Sequence, residues 1–231
     1  MKQMLQWLLA LLYPRRAVCA ACGSRVGNDR DDVCEECLAA LAGSWVGARQ
    51  VNLRRTRLSG AAFAHQYHGA AGGMVRSLKY RSQRVIADRM SRDIARAARQ
   101  LDIQNLRAVT SVPMHPKRLR VRGLNHAELL AQGVSRELNA PYRELLVRTR
   151  NAQQQARLDR RSRLTNLKDA FAVPEAARAY VQGGTFLLVD DVWTTGATAI
   201  NCAIALRRGG AAHVYFAAYA TGERKHRKWK K

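Results

Sequence analysis

The chain has 231 residues, 47% hydrophobic and 25% charged, enough for one compact domain with a small appendage and too apolar for a disordered chain. Forty Lys and Arg against 17 Asp and Glu give a net charge of +23, which excludes an acidic solvating protein and points to polyanionic partners: nucleic acid, phosphorylated small molecules or an acidic membrane surface. Only 8 of the cations are Lys, a skew that GC-rich coding would also produce.

Residues 1–16 open with QMLQWLLALLY, an amphipathic helix too short to span a bilayer and closed by Pro14, Arg15 and Arg16 without a cleavage site. Residues 17–42 hold four of the five cysteines. Residues 43–58 read as a linker or irregular strand, 60–67 as a strand, Gly69, Gly72 and Gly73 as a turn, and 74–100 as helix-compatible, with Met74, Leu78, Ile86, Met90 and Ile94 on apolar stripes. Regular alternation follows: strand 107–112, loop 113–121, helix 123–138, strand 144–148, a long polar loop from Thr149 to Lys168, strand 185–190, helix 197–208 and strand 212–219. Strands separated by helices predict an α/β fold with a mostly parallel sheet across residues 43–220. Residues 221–231 carry Arg224, Lys225, Arg227, Lys228, Lys230 and Lys231 with no apolar period, a flexible basic tail.

Cys19, Cys22, Cys34 and Cys37 form C-x2-C-x11-C-x2-C, and two such pairs place four thiolates around one tetrahedral Zn2+, a cation that takes soft sulfur ligands. Paired redox thiols or disulfides are the competing readings. Residues 1–50 have a net charge of only +1, so the metal module is expected to be structural or protein-binding, and +22 falls on residues 51–231. A reduced thiolate site without an export signal suggests the cytoplasm. Cys202, in an apolar helical stretch, is expected to be a small buried hydrophobe.

The segment Phe186–Thr198, FLLVDDVWTTGAT, carries the chemistry. A buried strand ends in two carboxylates and turns through small and hydroxyl residues into a helix, which is where ligands of open α/β sheets bind. Amides entering a helix make a phosphate cradle at the positive end of its dipole. Carboxylates repel phosphate, so acids beside such a cradle imply a ligand that also presents hydroxyls or a metal; a ribose 5-phosphate presents both. Helix capping by Asp is the simpler competing account, although it needs neither the second acid nor the Thr-Thr-Gly order.

This segment resembles the phosphoribosyl pyrophosphate (PRPP) motif of type I phosphoribosyltransferases. The resemblance implies that Asp190 and Asp191 hold the ribose hydroxyls and that Thr194, Thr195, Gly196, Ala197 and Thr198 hold the 5-phosphate. Upstream, SVPMHP (111–116) looks like the pyrophosphate loop of the same fold, assigning Val112, Pro113, Met114, His115, Lys117 and, from SLKY (77–80), Lys79 to the pyrophosphate side. The four-Cys module followed by SLKY, VPMHPKRLRVRGLNHAELLA (112–131), QARLDRRSRLTNLKDAF (155–171) and the PRPP motif closely resembles the ComF/GntX family of competence-associated proteins, from about Leu11 to Tyr219. Lys79, Arg122, Gly123, Asn125, Gln155, Arg163 and Asn166 stand at its motif positions, with Arg122, Gln155, Arg163 and Asn166 assigned to a lid; His126 replaces an expected Gln. The resemblance implies a type I phosphoribosyltransferase-like domain, PRPP with Mg2+, a structural zinc, and a role with single-stranded DNA in natural transformation beside a competence helicase or other transformation proteins.

Two functions of different kinds follow. As an enzyme the protein would transfer ribose 5-phosphate from PRPP through an oxocarbenium-like transition state, yet no acceptor pocket is legible in residues 43–70. As a nucleic-acid-binding or interaction scaffold its PRPP site would have no turnover, and Arg118, Arg120, Arg160 and Arg161, with stacking from Trp193 or Trp229, would meet DNA.

Overall fold

A computed structural model describes residues 18–26, 32–49, 56–80, 83–115, 119–120, 123–149 and 170–222. The expected helix at 3–13, most of the polar loop after Thr149 and the basic tail lie outside the described residues.

The elements run α1 (Glu35–Gly43), β1 (Trp45–Arg49), β2 (Gly60–Gln66), α2 (Gly69–Tyr80), α3 (Gln83–Ala98), β3 (Leu106–Ser111), α4 (His126–Glu137), β4 (Val147–Arg148), β5 (Phe171–Ala172), α5 (Glu175–Val181), β6 (Thr185–Trp193), α6 (Ala197–Arg208) and β7 (His213–Thr221). The main sheet has five strands in the order β1-β2-β7-β6-β3. Pairings β2–β7, β7–β6 and β6–β3 are parallel, and β1 adds to β2 antiparallel. This is the mixed α/β, mostly parallel architecture that the alternation predicts.

Strand periodicity sorts the core into two faces, since successive side chains point to opposite sides of a sheet. Leu187, Val189, Ala217 and Tyr219 face α2, α3 and α4, while Phe186, Leu188, Val214, Phe216 and Ala218 face α6 and the short β4–β5 ladder. Both faces are covered, which is why β6 reads as a continuous apolar run rather than an alternating one. Helices α3 and α4 approach closely because Gly133 carries no Cβ to meet Ser91, whose hydroxyl donates to Leu130 O at 3.1 Å.

Several boundaries differ from the sequence reading. The three glycines expected to form a turn lie in the first part of α2, and the stretch 74–100 is two helices, α2 and α3. The stretch expected as linker or irregular strand contains β1, whose outer edge is closed where Gln100 Oε1 accepts the Ala48 N–H at 2.9 Å. The strand expected at 144–148 is no member of the main sheet: Leu145 and Leu146 are both buried, which breaks alternation, and only Val147 and Arg148 pair, antiparallel with Phe171 and Ala172. Helix α5, on the α6 face, is an element that the sequence pattern does not predict.

Candidate functional site

Strand β6 runs past the apolar core through both acids and ends at Trp193. The chain turns at Thr194–Gly196 and enters α6 at Ala197, with Gly196 at the N-cap in left-handed geometry, φ 76°. Only glycine fits, for two reasons: that φ strains any L side chain, and a Cβ there would run into the indole of Trp193. The turn is further fixed by Thr195 Oγ1 accepting the Ala197 N–H at 3.4 Å and by the Gly222 N–H donating to Trp193 O at 2.8 Å. Thr194, Thr195 and Thr198 are exposed around a small pocket whose walls include Asp190, Trp193 and Gly196.

The two acids differ. Asp190 accepts the Asp191 N–H at 2.8 Å, and burial, followed by the adjacent Asp191 charge, pushes its carboxyl well above the usual carboxylate range. Asp191 Oδ2 pairs with Lys79 Nζ at 3.1 Å. Lys79 lies in the last turn of α2, so the packing of that helix brings SLKY to the acid pair.

Residues Val112–His115 leave β3, the parallel neighbour of β6, on the same side of the sheet as the Thr-rich turn. Val112 N–H donates to Val189 O at 3.1 Å, and Asn125 Nδ2 donates to Val112 O at 3.2 Å while its Oδ1 caps α4 by accepting the Ala127 N–H. Asn125 therefore ties this loop to the start of α4, and Gly123, at φ 75°, sets the turn before it. His126 is buried at the first position of α4. Pro113, Met114 and His115 are half-buried and Arg120 is exposed. Lys117, Arg118, Arg122, Gln155, Arg160, Arg161, Arg163 and Asn166 lie outside the described residues.

The four sulfurs of Cys19, Cys22, Cys34 and Cys37 lie within 4.8 Å of one another, and Cys22 Sγ is 3.8 Å from Cys34 Sγ. Ligands about 2.3 Å from a tetrahedral zinc stand about 3.8 Å apart, so the set fits a metal such as zinc. Burial raises the Cys19 thiol, but N–H groups of Cys22, Cys34 and Ala21 outweigh it and bring it down to about 6; burial and the neighbouring sulfurs push Cys37 up. The knuckle shares its apolar core with the main sheet: Cys19, Ala20, Val33, Cys37 and Leu41 belong to the same cluster as Met74, Leu78 and Tyr219.

Cys202 is fully buried in α6, as its setting predicts. Trp193 is half-buried, its ring packed at an angle on Phe216 at 5.0 Å and Phe63 at 5.6 Å. Sequence reading missed the polar cluster at His65, which contacts Leu41 O at 3.0 Å through Nδ1 and Asp93 at 3.3 Å through Nε2; these partners are far apart along the chain and carry no motif. It also missed Gly73 and Ser77 of α2, which touch the knuckle; glycines inside a helical pattern were the available signal.

The sheet order, the acid pair in the last half of β6 and the paired loops beyond β3 and β6 define a mixed α/β protein with a mostly parallel sheet and a candidate ligand site at the carboxyl ends of its strands. No protein-family model matches the chain. Among curated proteins it is 30% identical over 215 residues to the DNA utilization protein YhgH of Escherichia coli K12, covering 90% of this chain and 92% of that one. It is 30% identical over 142 residues to competence protein F of Haemophilus influenzae, covering 59% and 62%. It is 25% identical over 215 residues to competence protein ComFC of Bacillus subtilis, covering 89% and 85%. The chain belongs to this ComF family. Among solved structures it is similar to the glutamine PRPP amidotransferase of B. subtilis complexed with ADP and GMP, with 19% identity, a TM-score of 0.39, and coverage of 56% of this chain and 25% of that one, a likeness too partial to bear on function.

Proposed function

We propose that the chain binds PRPP with Mg2+ at the carboxyl ends of β3 and β6 and acts on nucleic-acid precursors or single-stranded DNA in the DNA utilisation that its relatives' names describe. One observation carries the reading: two carboxylates in the last half of a parallel strand whose first half is buried are followed, after four intervening residues, by a left-handed glycine at the start of a 12-residue helix. That order suits a ligand with a phosphate at one end and vicinal hydroxyls beside it.

Each group has a task in this reading. Asp190 and Asp191 accept hydrogen bonds from the ribose 2- and 3-hydroxyls, and Thr194–Thr198 receive the 5-phosphate. Amides of Met114 and His115 receive the diphosphate, while the Val112 N–H ties the start of this loop to β6. Mg2+ arriving with PRPP would neutralise charge building on that leaving group. Lys79, held by Asp191, supplies a fixed cation at the junction of ribose and diphosphate, so displacement at C1 would be assisted by charges already in place. Lys117, Arg122, Gln155, Arg163 and Asn166 complete the diphosphate side and the lid. The cysteine set holds a structural zinc.

The basic surplus carries the second half of the proposal. The +22 outside the first 50 residues exceeds what one small phosphorylated ligand needs, and Arg118, Arg120, Arg160, Arg161 and the tail are assigned to single-stranded DNA. Cytoplasmic action fits a thiolate metal site; no helix among the described residues is long and apolar enough to cross a membrane.

Calorimetric titration of the reduced, full-length chain with PRPP and Mg2+ tests the site. Binding is expected in the wild type and its loss in Asp190→Ala plus Asp191→Ala. Absence of heat in the wild type, or equal binding by the double variant, would overturn the assignment.

A further inference from the structure

The cysteine knuckle and the acid pair meet on one helix. The backbone between Cys19 and Cys22 presses onto α2: Ser77 Oγ donates to Ala20 O at 2.5 Å, and Gly73 lies so close to the Ala21 carbonyl that any Cβ there would overlap it. Two residues beyond Ser77, Lys79 reaches Asp191 at 3.1 Å. The lever between is short and stiff, since Lys79 stands six helical positions on from Gly73, a rise of about 9 Å.

The inner face of α2 is equally committed. Ala71, Met74, Val75 and Leu78 are buried with Cys19, Ala20 and Cys37 in one cluster. Packed interiors have little free volume, so the knuckle has no slack in which to rearrange without carrying α2 with it. The Lys79 ammonium sits on a flexible stem, so a shift of the helix by about 1 Å changes the reach and the side-chain ordering with which it meets Asp191.

Resting on the PRPP reading above, we infer that Ser77 and Gly73 are positioning residues that transmit metal occupancy of the four-cysteine site through α2 to Lys79, so that zinc and PRPP bind with positive coupling. A metal clamped between the sulfurs fixes the turn carrying Ala20 and Ala21. That turn fixes the azimuth and depth of α2, and α2 delivers Lys79 to the junction of ribose and diphosphate. Loss of the metal, or oxidation of the thiols that hold it, loosens the seat and weakens the ligand site from outside. Thermodynamic linkage makes the effect reciprocal: whatever factor zinc contributes to PRPP affinity, PRPP returns to zinc affinity.

The test measures that factor in both directions with the reduced, full-length chain. Zinc affinity is read by competition with a chromophoric chelator, with and without saturating Mg2+–PRPP, at a temperature where circular dichroism shows every variant folded, so that linkage through global unfolding plays no part. In the wild type PRPP is expected to tighten zinc about tenfold, within the roughly 5–150-fold range usual for coupled sites. Ser77→Ala, which loses the hydroxyl and adds no bulk, is expected to keep one zinc per chain with the factor reduced below about twofold. Gly73→Ala is expected to do the same by pushing the knuckle away. Because the factor is a ratio within each variant, a uniform loss of stability leaves it unmoved. A second readout is spectroscopic: in the cobalt-substituted chain, adding PRPP shifts the cobalt–thiolate bands in the wild type and not in Ser77→Ala. Equal zinc affinity with and without PRPP in a wild type that demonstrably binds PRPP would overturn the coupling and leave the PRPP site standing. An undiminished factor in Ser77→Ala would overturn the route through α2. Failure of zinc-loaded wild type to bind PRPP at all would instead bring down the underlying reading.

Discussion

Replacing Asp190 by Asn separates stability from ligand binding at the proposed site. The carboxyl of Asp190 is held well above its ordinary range by burial first and by the neighbouring Asp191 second, so the folded chain favours the protonated form more than the unfolded chain does. With a raised folded pKa, the native state binds more protons than the unfolded state between the ordinary carboxylate range, about 4, and the folded value. Across that window stability falls as pH rises, by up to about 1.4 kcal/mol per pH unit, and the cost is fully present above it. Asn keeps the shape, and its side-chain oxygen still accepts the Asp191 N–H that Asp190 accepts at 2.8 Å. The variant should therefore be more stable than the wild type at pH 8, with a flatter pH profile. Each kcal/mol recovered appears as about 2–4 °C in the melting temperature for a chain of this size. PRPP binding should fall sharply in the same variant, because an amide replaces the acceptor of a ribose hydroxyl. Thermal melts from pH 5 to 8 and calorimetry with PRPP give both readouts. Parallel stability curves, or a variant less stable at pH 8, would refute this account of the acid pair.

Three further outcomes are expected. Gly196→Ala forces an L side chain to φ 76° and into the Trp193 ring, so unfolding in denaturant should show a loss of about 2–4 kcal/mol, accompanied by a change in indole fluorescence and by loss of PRPP binding. Elemental analysis of the reduced chain should find one zinc, Cys37→Ser should abolish it, and the variant's melting temperature should fall by more than 10 °C, since a structural site couples metal binding to folding. Removing residues 223–231 takes away six Lys and Arg, so the dependence of log K on log salt for single-stranded DNA should flatten by up to about 4; an unchanged slope would show that the tail makes no phosphate contacts.

Local chemistry made much of this molecule readable. The Thr-Thr-Gly turn and the acid pair depend on neighbours within a few residues and the cysteine knuckle on a motif of 19 residues, and the structure brings each set together as its spacing predicts. What escaped depends on distant neighbours. Gly72 and Gly73 look like a turn from sequence; they sit in a helix, and Gly73 is small because the knuckle backbone lies against it. Strand 144–148 has the right residue types, but the chain beside β3 makes only a bridge at Tyr142 and then tucks Leu145 and Leu146 inward. The pairing of Lys79 with Asp191 joins residues more than a hundred positions apart, and only the packing of α2 under the sheet makes it visible.

The order of strands also bears on how the chain reaches its native state. Among the described strands β7 is synthesised after all the others, yet it lies between β2 and β6, where Gly60 pairs with Tyr215 and Leu187 with the same residue from the other side. Until residues 213–221 exist, the sheet is two separate ribbons, β1–β2 and β6–β3, each exposing an apolar, hydrogen-bonding edge. Contacts this remote in sequence slow folding and leave such edges open to self-association. A chain cut short before β7 should therefore be insoluble rather than a smaller working protein, and the late, alanine-rich stretch AAYA becomes the closing element of the whole sheet.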